Sequence, residues 1–367
     1  MTIAFARGAP APECLPVAEL ADCAKAAIEH DGTAVLSYGA GGGYGPLREW
    51  IAERHGVEPG RVLLTSGSLQ GFVFLAQHLV GTGRRVLVEA PTYDRPLLIL
   101  ARLGAVVETL PMDDEGLDPD GLERALAHGE RPAFLYTIPT FQNPSGRTLS
   151  AERRHRIAEL AAEHELLVLE DDPYGLVRFE GEAPPLLFEL EGGTNVAYSS
   201  SFSKTVAPGV RVGYFVLPAD LAASLEAVAT STYISPPFLS EATVLEFIRR
   251  GSFEPNLARV CGLLKARRDA MLGALEREFP AEASWSRPEG GYFLWLDLPG
   301  GADAAELLVR ATAAGVTFVT GSDFFPRDGG GESSARLAYS FASVEEIGEG
   351  IATLAELLAA APSPSRA

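Results

Sequence analysis

Lysine is nearly missing from this chain: Lys25, Lys204 and Lys265 stand against 27 arginines. Surface positive charge is therefore supplied by arginine, so a lysine in an unusual place calls for a chemical reason. Cysteine is almost as scarce. Cys14, Cys23 and Cys261 show no C-x-x-C spacing, which excludes a disulfide framework or zinc site and fits a reducing compartment such as the cytoplasm. Positive charge as a whole is in deficit, with a formal net charge of −19 and no basic run, so phosphate backbones and anionic lipid surfaces are repelled and neither nucleic acid nor membrane is an expected partner. No apolar stretch is long enough to span a bilayer, and the first residues lack a charged and then apolar leader, so no targeting signal is expected. Two cofactor or nucleophile signatures also fail. Gly39-x-Gly41 and Gly41-x-Gly43 are followed by Tyr44 and Pro46 where a dinucleotide fingerprint needs a small residue, and Ser201-x-x-Lys204 lacks the companion K-T-G strand of serine acylases.

At 367 residues the chain exceeds one ordinary core, so a large domain with a smaller one is expected. Between about Arg61 and Tyr214, short apolar runs (Val62-Leu-Leu-Thr, Arg85-Val-Leu-Val, Ala105-Val-Val-Glu, Ala133-Phe-Leu-Tyr, Leu166-Leu-Val-Leu, Val196-Ala-Tyr-Ser, Val212-Gly-Tyr-Phe-Val) alternate with helical patterns such as Ala151 to His164. Such runs, apolar without alternation, predict a mainly parallel sheet buried on both faces, an α/β core. After Pro218 come long helices, a Gly-Gly-Tyr-Phe-Leu-Trp-Leu strand, a helix near Asp303 to Ala314 and a strand near Arg336 to Ser340, an α+β texture. The expected division is a strap with part of the small domain at 1–36, a large domain at 37–255, a small domain at 256–361 and a tail at 362–367.

In open α/β sheets ligands sit beyond the carboxyl ends of the strands, and the residues there form a list. Thr65-Ser-Gly-Ser68-Leu69 opens a helix, where free backbone N–H groups suit a phosphate. Pro91-Thr-Tyr93 brings an aromatic ring, and Gln142-Asn143-Pro an amide. Glu170-Asp171-Asp172-Pro-Tyr174 places acids at the end of a buried run, where a carboxylate calls for a cationic partner. The last run leads to Ser201, Ser203, Lys204 and Arg211. Taken singly these are an ordinary helix cap, a packing ring, an Asx-turn, and a solvated lysine. Lys25 and Lys265 lie in helix-patterned stretches, whereas Lys204 sits in a serine-rich turn, and an amine alone can lose its proton near neutrality and bond to a carbonyl. One ligand asks for the whole list together: an aldehyde for Lys204, a phosphate for the glycine-serine turn and Arg211, and a ring nitrogen for the acid, which is pyridoxal phosphate.

Tyr38-Gly-Ala-Gly-Gly-Gly-Tyr-Gly-Pro-Leu-Arg48, Thr-Ser-Gly-Ser68, Pro-Thr-Tyr93, Gln-Asn143-Pro-Ser-Gly, Glu-Asp-Asp-Pro-Tyr174, Ser-Phe-Ser-Lys204, Pro-Gly-Val-Arg211 and Arg336-Leu-Ala-Tyr-Ser together resemble the fold-type I, class I/II aminotransferases. The likeness is to the branch holding 2-aminoadipate and kynurenine aminotransferases and MocR-type regulators, and it runs over nearly the whole chain. It implies amino transfer from an L-α-amino acid to a 2-oxo acid by a ping-pong mechanism. Lys204 would bond to the cofactor and move the proton. Asp171 would keep the pyridine nitrogen protonated, Asn143 and Tyr174 would bond the ring hydroxyl, and Tyr93 would stack on the ring. Ser68, Leu69, Ser201, Ser203 and Arg211 would hold the phosphate. Tyr38 would reach the phosphate of a neighbouring subunit, which implies a homodimer with shared sites. Arg336 would pair with the substrate α-carboxylate, beside Gly8 and Asn143. Arg7 departs from the family, standing where glycine is usual; its side chain either enters the substrate pocket or points outward. Phe5, Tyr233, Phe238 and Tyr292 are candidate pocket walls or plain core. No DNA-binding module accompanies these motifs, so a regulator is not expected. The rival within the same chemistry is a lyase, decarboxylase or carbon–carbon bond-forming enzyme.

Overall fold

A computed structural model describes residues 2–326 and 329–360; the tail assigned to 362–367 lies outside them. The apolar runs become an eight-stranded sheet, ordered Val62–Thr65, Gly213–Val216, Val196–Ser201, Val168–Asp171, Leu135–Thr137, Arg85–Ala90, Val106–Asp113, Gly116–Leu117. The five strands from Val196–Ser201 to Val106–Asp113 are mutually parallel. Along each strand successive residues feed opposite layers: Leu64, Leu87, Leu135 and Val168 enter one apolar cluster, and Leu63, Val86, Val88 and Leu169 the other. That two-sided burial is why these strands show no polar alternation. Each buried Val or Leu contributes roughly 1.5–3 kcal/mol.

Gly213–Val216 departs from this parallel order, as the two-residue edge strand Gly116–Leu117 also does. It reads like its neighbours but runs antiparallel to both Val62–Thr65 and Val196–Ser201, with Gly213 opposite Thr65 and Ser201. Its start therefore lies where the other strands end, and Arg211 arrives at the same edge as Ser201 and Asp171.

The second core gathers Leu264, Met271, Tyr292, Leu294, Leu337 and Ile347 around an antiparallel sheet ordered Ser284–Trp285, Phe293–Asp297, Ser334–Ala338, Val319–Thr320. Arg336 is in the middle of a central strand, opposite Trp295 on one side and Val319 on the other. The N-terminal strap joins this unit: Ile3–Ala4 pairs with Val316–Thr317, and Phe5 is fully buried with its carbonyl accepting from Ala338 N. The helix Val17–Val35, grouped with the strap on sequence, instead packs on Phe238–Arg249 and places Cys23, Ala27 and Val35 in the core of the large sheet. Its stripe of small apolar residues at helical spacing fits that groove. The helix Phe253–Glu278 runs across the expected boundary at 255/256.

Candidate active site

The carboxyl edge of the large sheet ends in a cavity of about 220 Å3 lined by Gly67, Ser68, Leu69, Tyr93, Asn143, Asp171, Tyr174, Ser201, Ser203, Lys204 and Arg211. It shares Tyr93, Asn143, Tyr174 and Lys204 with a cleft of about 850 Å3, which Gly8 and Arg336 also line. Every site residue expected from sequence is thus in one connected space except Tyr38, which is 85% exposed and lines neither.

At one end Ser68–Leu79 begins with Gly67 at the cap and no side-chain cap bond, so Ser68 is not the ordinary cap its sequence allowed. The first-turn N–H groups and the positive end of the helix are left for an anion. Two glycines make this possible. A Cβ on Gly67, which has φ +84°, would lie 2.2 Å from Arg211 Nη2, and one on Gly213 would lie 2.3 Å from Ser68 N. Only without those atoms can the guanidinium and the sheet press against the helix start. Arg211 donates from Nη2 to Ser66 O at 2.8 Å, and Ser201 Oγ donates to Ser203 Oγ at 2.8 Å. Three kinds of donor, backbone amide, guanidinium and hydroxyl, therefore surround a space suited to phosphate.

At the other end Asp171 and Asp172 point to opposite faces, as successive strand residues must. Asp172 is taken up by structure: Tyr198 OH donates to it at 3.0 Å and Gly175 N at 2.8 Å. Asp171 turns into the cavity, accepting from Tyr136 OH at 2.9 Å and Ser199 Oγ at 3.2 Å. Burial pushes its carboxyl up to about 6, against the pull of those two hydroxyls. Among the described residues no lysine, arginine or histidine pairs with it; the cationic partner expected for these acids goes instead to Glu170, 3.5 Å from Arg154. A buried acid lacking a cation, facing a cavity that ends in an anion cradle, fits a protonated pyridine with a phosphate arm.

Lys204 is between these ends. Its Nζ donates to Gly8 O at 2.8 Å and is 4.9 Å from the Tyr292 ring centroid. Burial, with smaller contributions from Arg336 and Arg211, pulls the amine down to about 8, which makes a neutral nucleophile accessible near physiological pH. Arg336 is 8% exposed and stacks over Phe293 at 4.3 Å. It donates from Nη1 to Asn143 Oδ1 and from Nη2 to Ala6 O, both at 3.0 Å, while its buried Nε–H has no partner. Asn143 thus serves as more than an Asx-turn: its Oδ1 orients Arg336, leaving Nδ2 for the cavity.

Arg7 is turned outward, stacked 4.1 Å over Phe341, and lines neither space. Phe5, Tyr233, Phe238 and Tyr292 are likewise absent from the cleft walls; Tyr233 OH bonds Gly41 O and Leu64 O, and Phe238 packs on Tyr44. Sequence reasoning missed Tyr136 and Ser199, whose signal was present as polar residues within the buried strands that flank Asp171's own. It also missed Phe293, Phe324, Asp94 and Asp323 on the cleft wall. A second large cleft, about 780 Å3 around Arg147, Arg178 and Arg287, contains none of this chemistry, and its cations are paired: Arg147 with Asp114 at 2.8 Å and Arg178 with Glu289 at 3.1 Å.

Comparison with known proteins agrees with this geometry. The family model for aminotransferase class I and II matches residues 14–351. The 2-aminoadipate transaminase of Thermus thermophilus is 38% identical over 97% of this chain and 90% of its own length. Aromatic-amino-acid aminotransferase 1 of Thermococcus litoralis is 36% identical over 97% of this chain and 88% of its own. Among solved structures, that of a Thermus thermophilus α-aminoadipate aminotransferase complexed with N-(5'-phosphopyridoxyl)-L-leucine superposes with a TM-score of 0.93 at 38% identity, covering 98% of this chain and 92% of that one. The chain therefore belongs to the class I and II aminotransferases, as a fold-type I, pyridoxal-phosphate-dependent enzyme that moves an amino group from an amino acid to a 2-oxo acid.

Proposed function

We propose that one connected space holds the cofactor and the donor with a fixed division of labour. The observation that carries this is the line of three groups in it: an amine poised near neutrality, a buried acid without a cation, and a buried guanidinium with an unpaired N–H. When bound, pyridoxal phosphate supplies an aldehyde and a ring able to take up the electrons released at the substrate Cα. Ser68 and Leu69 N–H groups, Ser201, Ser203 and Arg211 would hold its phosphate. Tyr93 would cover the ring, Asn143 Nδ2 and Tyr174 OH would serve the ring hydroxyl, and Asp171 would keep the ring nitrogen in its charged form. Arg336 binds the α-carboxylate through a planar pair of donors that lysine could not provide. So anchored, the donor Cα–H bond would face Lys204, whose amine in its neutral form would be placed to take the α-proton. The donor leaves as a 2-oxo acid, and a second 2-oxo acid takes the amino group by the reverse steps.

The working unit in this reading is a homodimer. Leu36, Tyr38 and Ile234 are exposed together, with Gly39 N donating to Ser235 Oγ at 3.3 Å beside them. Ile234 is held at φ +70°, a conformation a β-branched residue adopts only at a cost. That apolar, strained patch supports a subunit contact through which Tyr38 enters the neighbour's phosphate cradle. A division of the chain near residue 255, with the strap serving both halves, and a cytoplasmic location, which three free cysteines fit, belong to the same proposal. Among the described residues no helix is long and apolar enough to cross a membrane.

The test is the visible spectrum of the purified, cofactor-loaded protein, with donors added and no acceptor. The band should bleach with a subset of amino acids and return on adding a 2-oxo acid. Lys204→Ala should fold but give neither change, and Arg336→Ala should raise the donor concentration needed far more than it slows the saturated step. Bleaching by Lys204→Ala equal to that of the parent, or unchanged donor dependence in Arg336→Ala, refutes the assignment.

A further inference from the structure

Glu89, at the end of the strand Arg85–Ala90, is a fully buried acid to which the amino-transfer steps give no role. Among the described residues no cation pairs with it; Arg154, whose charge reaches it, is 3.5 Å from Glu170. Three donors hold it instead. Thr137 Oγ1 donates to Glu89 Oε1, and Ile138 N and Gln142 Nε2 both donate to Oε2 at 3.1 Å. Gln142 is itself buried and divides its amide between two segments. Its Nε2 also donates to Pro91 O at 2.7 Å, and its Oε1 accepts from Ser145 N at 2.8 Å. Backbone bonds from Gln142 N to Arg147 O at 2.8 Å and from Gly146 N to Gln142 O at 2.6 Å close the turn that contains Asn143.

A carboxyl group buried without a cation is costly, and the strand itself asks for none, since Leu87 and Val88 before it fill the two apolar layers. Its partners say what it does. Ile138 N opens the segment that leaves the sheet after Leu135–Thr137, and Gln142 precedes Asn143, so Oε2 holds that segment at two points. The Gln142 amide also holds Pro91, two residues before Tyr93. One oxygen thereby fixes Asn143 relative to Tyr93, and both line the cavity at the sheet edge. Asn143 Oδ1 in turn accepts from Arg336 Nη1 at 3.0 Å, so the place of the turn sets the direction of the guanidinium. An apolar side chain of the same length at position 89 would leave the Ile138 N–H and one Gln142 N–H without an acceptor in a dry interior, which the turn relieves only by moving. A second route also leads from Glu89 to the site: burial is the main cause of the raised Asp171, and the charge of Glu89 adds to it.

We propose that Glu89 is a positioning residue: through Gln142 it holds the turn that carries Asn143, and so aims Arg336 at the α-carboxylate of the donor. This inference rests on the proposed function and adds the residue that orients its carboxylate-binding group. Glu89→Gln can keep an acceptor at the place of Oε2 and donate from its amide to Thr137 Oγ1, whereas Glu89→Met keeps the length and removes the acceptor. With the cofactor-loaded enzyme and a donor that bleaches the parent, Glu89→Met should raise KM about tenfold, the scale of one buried hydrogen bond, with a much smaller change in kcat. Glu89→Gln should keep the parental KM. In an Asn143→Ala background, Glu89→Met should raise KM no further, because the path runs through that side chain. An effect carried by charge to Asp171, or by a general loosening of the fold, is added again in full there, and such additivity overturns the inference. So does a parental KM in Glu89→Met, or a Glu89→Gln as impaired as Glu89→Met. Gln142→Met cuts the same path from its other side and takes the place of Glu89→Met in the cycle if that variant does not fold. Hydrogen exchange of the 138–147 segment needs no turnover: it should quicken in Glu89→Met and not in Glu89→Gln, and equal exchange in both and the parent removes the hold on the turn. Arg336→Ala separates the two readings. A parental donor dependence in that variant sinks the proposed function, whereas a raised KM there with an unmoved one in Glu89→Met sinks this inference alone.

Discussion

Replacing Asp171 by asparagine separates what this acid costs the fold from what it does for the cofactor. In the cofactor-free protein the carboxylate is buried, and among the described residues its partners are the Tyr136 and Ser199 hydroxyls. Its titration moves from an ordinary 3.8 up to about 6. A group whose folded value is raised contributes stability that is complete below the unfolded value and is lost as pH rises through the folded one. The loss therefore falls between about pH 4 and 6, and amounts to roughly 3 kcal/mol once the acid is ionised. The asparagine side chain has the same shape and can accept from Tyr136 and donate to Ser199, so it avoids the charge without opening a hole. The expected outcome is that cofactor-free Asp171→Asn matches the parent near pH 4 and is more stable at pH 8, by a few degrees in thermal unfolding. Bound cofactor should reverse the order, because the parent alone offers a charge to the ring nitrogen. Thermal unfolding from pH 4 to 8, with and without pyridoxal phosphate, reads both effects. A variant no more stable than the parent at pH 8 in the free state, with cofactor affinity unchanged, would refute the placement of Asp171 as an uncompensated acid awaiting a cation.

Two further outcomes follow from the same geometry. Loading of the free protein with cofactor needs a neutral Lys204 amine, so the loading rate should climb with pH and level off above about 8; stopped-flow absorbance would show this, and a rate still climbing toward pH 10 would contradict the burial argument. Gly213→Ala drives a Cβ to 2.3 Å from Ser68 N and 2.5 Å from the Gly67 carbonyl carbon, which should cost about 1–3 kcal/mol of stability and weaken cofactor binding, whereas Gly209→Ala, with nothing within 4 Å of the new atom, should change neither; paired unfolding and cofactor titrations compare them.

Much of this site is local, and local chemistry is legible in a sequence. Lys204 stands out because lysine is rare, and Ser68, Asn143, Asp171 and Ser201 each follow a buried run, which in a sheet of this class puts them at one edge. The apolar runs themselves fixed strand placement, since two-sided burial removes polar alternation. What sequence could not convey was partnership across distance. Nothing local distinguishes Gly213–Val216 from its parallel neighbours, yet its reversal delivers Arg211 to the phosphate end. The helix Val17–Val35 joined the large core because its small-residue stripe found the helix Phe238–Arg249, more than 200 residues away. Asp171 and Asp172 are equal as letters; alternation of the strand gives one to Tyr198 and the other to the cavity. Arg336 met Asn143 and the strap only when two separate sheets closed on each other, as did Asp94 and Asp323. Residue types and their spacing determined the chemistry available; the tertiary structure decided which groups face one another, because burial and pairing energies depend on neighbours that the chain brings together only on folding.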